Sequence, residues 1–101
     1  MRLIVFFDLP VFTKADIREY SKFRKYLIGQ GFVMMQKSVY SKLAINGTQA
    51  QAIASSVRKN RPKSGLVQIM TITEKQYQNI EFIVGESQRE IIDTLDRLVI
   101  L

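Results

Sequence analysis

Residues 1–10 read MRLIVFFDLP, and this stretch decides the fold. Leu3 to Phe7 form an unbroken run of β-branched, aromatic and leucine residues, the composition of a buried strand from Arg2 to Phe7. Pro10 has no N–H for a ladder and pushes Leu9 out of helical geometry, so the strand ends there. Asp8 then sets a carboxylate at the mouth of the strand. Such a charge is costly to bury unless a metal, a cation or a protein donor meets it. Two roles suit it: capping the turn that follows, or serving as a metal ligand or catalytic carboxylate.

The chain has 101 residues, which predicts one domain over 1–101 with one core. Its longest apolar runs are about five residues, far short of a membrane span. No secretory pattern opens the chain, so the expected location is cytoplasmic. Cys and His are both absent. That excludes disulfides, thiolate nucleophiles, serine-histidine triads and imidazole metal sites. The remaining catalytic chemistry rests on carboxylates and an oxygen-seeking cation such as Mg²⁺.

The formal net charge is +6, unevenly spread. Residues 14–63 hold eleven Lys or Arg against Asp16 and Glu19, whereas residues 74–101 hold six acids against three basic residues. An excess on one part of a fold suits a polyanion; a solvated basic face is the plainer account.

Thr13 can cap a helix from Lys14 to Ile28. Ile17, Tyr20, Phe23, Leu27 and Ile28 share one side at helical spacing. Lys14, Arg18, Lys22 and Lys25 share another. Like charges in one stripe repel unless an anion lies along them, which predicts a phosphate track. Arg24 falls inside the apolar arc, so it needs a buried acceptor, with Asp8 as the candidate. Gly29 to Gly31 end the helix as a left-handed cap does.

Phe32 to Leu43 read as one long strand, kinked near Gln36, with Met34 and Met35 as core or interface filler. Asn46-Gly47 marks a turn. Thr48 with Gln51 resembles a capping box that opens a second helix to Asn60, with Ile53, Ala54 and Val57 as its thin apolar face. Arg58, Lys59, Arg61 and Lys63 close it. These are either a second phosphate-binding cluster or cations that complement the helix dipole. After the loop Pro62–Gly65, strands are expected at Leu66–Thr73, Ile80–Val84 and Arg97–Leu101. A short turn or helix at Glu74–Asn79 and an acidic, helical or irregular segment at Glu86–Leu95 lie between them.

This order suggests an α+β ferredoxin-like βαββαβ sandwich with an extra C-terminal strand. Helices cover one face of such a sheet, yet the strands are apolar on both: Leu3, Val5 and Phe7 against Ile4 and Phe6, and Val67 and Ile69 against Leu66, Met70 and Ile72. A two-fold homodimer through the open face is the simplest cover. The terminal RLVIL, 97–101, suits pairing with a sheet edge, its own or the partner's. RNA-recognition modules share this order, but Leu66–Thr73 carries none of the stacking aromatics they need.

FFDLP at 6–10, YSKFRKYL at 20–27 and GFVMMQKSVYSKL at 31–43, in this element order, resemble the CRISPR-associated protein two family, most closely its members from type II systems. The resemblance spans nearly the whole chain. It implies a ferredoxin-like homodimer in which Asp8 meets its symmetry mate and the pair binds Mg²⁺. It implies two activities: metal-dependent endonuclease action on single-stranded RNA or duplex DNA, and spacer acquisition, where the dimer bridges two CRISPR integrase dimers and holds duplex DNA. Cutting and joining then belong to the integrase. The family's C-terminal strand crosses to the partner, a role RLVIL matches. The acidic C-terminal segment suits a basic face of the integrase. Asp8 has no second acid near it in the strand, so catalysis would have to be built across the dimer. The non-catalytic bridge is therefore favoured over the nuclease. Ser38 and Tyr40 fit either a backbone-phosphate contact or polar positions on a strand edge.

Overall fold

The computed structural model describes residues 1–85. The elements are β1 (Arg2–Asp8), α1 (Lys14–Gly29), β2 (Val33–Gln36), β3 (Val39–Leu43), α2 (Gly47–Lys59), β4 (Leu66–Ile72) and α3 (Glu74–Gln78). The strands form one antiparallel sheet in the order β2-β3-β1-β4. This is the βαββαβ ferredoxin-like arrangement, followed by α3. The apolar run at the N-terminus is therefore a central strand, hydrogen-bonded on both sides.

The alternation of β1 sorts its side chains as expected. Leu3, Val5 and Phe7 point into the core with Phe23 and Leu27 of α1 and Ala50 and Val57 of α2. Val67 and Ile69 join from β4, while Leu66 and Met70 stand exposed on the other face. Phe7 centres an aromatic cluster, edge-on to Phe23 at 5.3 Å and stacked on Tyr40 at 5.7 Å. Such pairs add about 0.5–1.5 kcal/mol each beyond the area they bury. They anchor the backbone immediately before Asp8.

The end of α1 forms as its glycines predict. The N–H of Gly31, at φ +92°, donates to the Ile28 carbonyl, and that of Phe32 to the Leu27 carbonyl, both at 3.0 Å. Phe32 and Leu27 are both core residues, so the cap closes with its apolar contact. Thr13 caps the other end reciprocally with Asp16.

Several expectations need correction. Phe32–Leu43 is a hairpin, not one strand: Gln36 pairs with Val39 and the chain reverses at Lys37-Ser38. Ser38 takes φ 64°, which its short polar side chain tolerates, and a register irregularity lies between Met34 and Gln36. The second helix starts at Gly47, because Asn46, not Thr48, accepts the N–H of Gln49 at 2.9 Å. Ile80–Val84 forms no strand: β-propensity yields one only where a neighbour pairs with it, and Ile83 and Val84 are 85% and 93% exposed. Ile17 and Ile28 stay half-exposed, while Tyr26 takes a place against the core instead. Thr73 caps α3 rather than ending β4. The expected segments Glu86–Leu95 and Arg97–Leu101 lie outside the described residues.

Candidate nucleic-acid interface and carboxylate site

Asp8 is the last residue of β1, paired in register with Leu66 of β4. Its side chain is exposed beside a surface depression of about 210 Å³ lined also by Phe6, Lys37, Ser38, Leu66 and Gln68. The hairpin turn carries Lys37 and Ser38 there, and Phe7 N–H fixes the turn by donating to the Ser38 carbonyl at 3.0 Å. Sequence reasoning missed Lys37, because Lys-Ser between two apolar runs is a weak turn signal. Among the described residues, Asp8 makes no ion pair, and no group of three or more acidic side chains could hold a metal. One chain thus offers one carboxylate, too few ligands for Mg²⁺ unless waters and a second carboxylate complete the set.

Arg24 does not reach Asp8. Its Nε donates to the hydroxyl of Tyr40 at 3.0 Å, while the rest of the side chain is exposed. Tyr40 is 1% exposed and belongs to the core, so it is not a free strand-edge hydroxyl. Tyr20 and Phe23 are core-facing, as expected.

Lys14, Arg18, Lys22 and Lys25 are all exposed. At 100° per residue their stripe lies about 180° around α1 from the core positions Tyr20, Phe23 and Leu27. It therefore points directly away from the sheet. From Lys14 to Lys25 it runs about 16 Å, comparable with the rise over five phosphates of one strand.

Arg58, Lys59, Arg61 and Lys63 are exposed too, but not equivalent. Arg58 and Lys59 occupy the last turn of α2, where the dipole accounts for them. Arg61 turns back so that its Nη1 donates to the Arg58 carbonyl at 2.8 Å, which caps the helix end. The hydroxyls of Tyr26 and Ser56 hydrogen-bond across the two helices. Two further cations were not foreseen as structural. Lys42 Nζ donates to the Gln30 carbonyl at the end of α1, and Arg2 makes a bidentate pair with Glu74 at 2.9 and 3.0 Å. No helix among the described residues is long and apolar enough to cross a membrane.

Comparison with known proteins agrees with this layout. The profile of the family described as "CRISPR associated protein Cas2" matches residues 1–80. A CRISPR-associated endoribonuclease Cas2 from Treponema denticola is 56% identical over 101 residues, covering 100% of both chains. One from Ligilactobacillus salivarius is 41% identical, again over 100% of both. The crystal structure of Streptococcus pyogenes Cas2 at pH 6.5 superimposes with a TM-score of 0.62 over 84% of this chain and 100% of its own, at 15% identity, a likeness of fold. A β1 strand ending in Asp8, a ferredoxin-like sheet and full-length similarity to these relatives together show that the chain belongs to the CRISPR-associated Cas2 family.

Proposed function

We propose that the chain serves CRISPR adaptation as a duplex-DNA-binding bridge: a cytoplasmic two-fold homodimer that carries spacer DNA and joins copies of the CRISPR integrase. The observation that carries this reading is the exposed α1 stripe, turned away from the core with no acid among its four members. Four cations in that register repel one another and are neutralised by a phosphate backbone. Contacts of this kind position a duplex without reading its sequence. The homodimer is supported by the exposed Val33, Leu43, Leu66 and Met70 on the sheet face away from the helices. Reversing the charge of Lys14, Arg18, Lys22 and Lys25 tests the reading. Duplex affinity should fall, and the slope of log K against log salt should flatten by about 0.9 for each phosphate no longer neutralised. An unchanged slope sinks it.

A second reading is a metal-dependent endonuclease acting on single-stranded RNA or duplex DNA, favoured by the exposed Asp8 at its depression and by the endoribonuclease names of the relatives. Asp8 from two chains would hold Mg²⁺ between them, the ion keeping several waters. Bound there, the ion would supply an activated water for phosphodiester hydrolysis. Lys37 would draw the phosphate toward the carboxylates, and the dimer seam would keep the two Asp8 side chains facing.

A further inference from the structure

α3 spans five residues, Glu74–Gln78, and none of them is buried. Isolated helices shorter than about 12–15 residues are marginal in water, so a contact from outside must hold this one. Its capping box, Thr73 with Gln76, fixes the first turn but does not tie it to the sheet. Glu74 and Tyr77 are the two α3 residues that are not exposed, and both meet Arg2, the first residue of β1. The Arg2 guanidinium forks onto the Glu74 carboxylate at 2.9 and 3.0 Å and lies 4.2 Å from the centre of the Tyr77 ring. The spacing of three residues puts that carboxylate and that ring on one side of the helix. A planar guanidinium forks onto the one while it lies over the other, which a lysine ammonium cannot do. The ion pair is part-exposed, with Arg2 at 24% and Glu74 at 40%, so salt screens it. The chain that continues from α3 carries Ile80, Phe82, Ile83 and Val84 exposed.

We infer that Arg2 is a clasp and α3 a releasable strap. Closed, the clasp fixes where the apolar run Ile80–Val84 is presented. Open, α3 leaves the sheet together with that run, while β1 to β4, α1 and α2 stay folded, because their core includes no residue of α3. Local opening of this kind belongs to segments with little buried apolar contact, and rising salt favours it here.

Hydrogen exchange of the full chain, read by mass spectrometry, tests this. The amides to follow are those of Tyr77 and Asn79, which donate to the Thr73 and Lys75 carbonyls at 3.0 and 3.1 Å. Amides of β1 and α1 report on the rest of the fold. Wild type is compared at low and high salt with Arg2→Gln, Arg2→Lys and Glu74→Gln, and circular dichroism checks that each variant is folded. In Arg2→Gln, which loses both contacts, exchange across α3 should quicken about tenfold, with β1 and α1 unchanged. Arg2→Lys should still quicken it about fivefold, and Glu74→Gln about threefold. High salt should quicken it in wild type and have no further effect on Glu74→Gln. Wild-type protection in Arg2→Lys would mean that a plain positive charge suffices, which overturns the fork-and-ring clasp. Exchange that quickens equally in α3, β1 and α1 would make Arg2 an ordinary contributor to global stability and α3 no separate strap. An unchanged α3 in Arg2→Gln, or an α3 without protection in wild type at low salt, would also overturn the proposal.

Discussion

Arg24 on the flank of α1 donates its Nε to the hydroxyl of Tyr40, which is buried in β3, at 3.0 Å. The bond lets Tyr40 keep a polar atom at the core boundary while its ring stacks on Phe7. The stabilising part is the ring, because Arg24 is exposed and water replaces its lost acceptor. Tyr40→Phe should therefore cost only about 0.5–1.5 kcal/mol. Tyr40→Ala should cost about 3–5 kcal/mol through the cavity beside Phe7. Urea midpoints measure both. Equal costs would mean that the hydroxyl, not the packing, holds β3 to α1.

Gly65 stands at φ +93°, and a Cβ there would lie 2.7 Å from Leu9 Cδ2 and 2.8 Å from the Asp8 carbonyl oxygen. One of these neighbours is backbone, so it cannot move aside cheaply. Gly65→Ala should cost about 2–3 kcal/mol and loosen the end of β1 that presents Asp8. Gly29, with nothing within 4 Å, is the control. Gly29→Ala in the last turn of α1 should be neutral or stabilising by up to about 1 kcal/mol. Thermal unfolding of the two variants distinguishes a packing requirement from a general intolerance of side chains at glycine.

What the sequence revealed and what it hid divide along local against non-local causes. Leu3 to Phe7, Thr13 with Asp16, and Gly31 with Phe32 carry their structural reasons within a few residues, so β1 and both ends of α1 were legible. The Lys14–Lys25 stripe was legible for the same reason, since helical period alone places it. The hairpin at Ser38 was not: its positive φ belongs to the two-residue turn that pairs Gln36 with Val39, and nothing in Lys-Ser announces it. Nor was the partner of Arg24. Periodicity showed that it flanks the core, but the choice of Tyr40 over Asp8 depends on how β3 lies under α1. Ile80–Val84 has a strand's composition without a paired edge among the described residues.

The two basic groups should contribute unequally to nucleic-acid binding. Lys22 stands on the outer face of α1, exposed, while Arg61 is committed to the Arg58 carbonyl. Lys22→Gln should lower the salt slope by about 0.9 if it meets one phosphate. Arg61→Gln should change the slope by much less and instead destabilise the end of α2, by about 0.5–1 kcal/mol. Fluorescence anisotropy on one duplex across a salt series, paired with urea unfolding, reads both quantities. The reverse ranking would move the phosphate track from α1 to the end of α2.

Asp8 separates the bridge from the nuclease. The carboxylate is exposed and, among the described residues, unpaired, so Asp8→Ala should change the stability of one chain by no more than about 0.5 kcal/mol. In the bridge reading, wild type and Asp8→Ala both bind duplex DNA with the same salt dependence, and neither cuts duplex DNA or single-stranded RNA in Mg²⁺ or EDTA. In the nuclease reading, wild type cuts only with Mg²⁺, and Asp8→Ala binds without cutting. Thermal unfolding adds a readout independent of cleavage. If two Asp8 carboxylates face each other across a two-fold, they repel in EDTA and are bridged by Mg²⁺. Mg²⁺ should then raise the wild-type melting temperature in a concentration-dependent way and leave that of Asp8→Ala unmoved. We expect the metal-dependent shift without cleavage: an ion that fastens the seam of a DNA-holding dimer. Cleavage that disappears with Asp8 would instead make that same ion the catalyst.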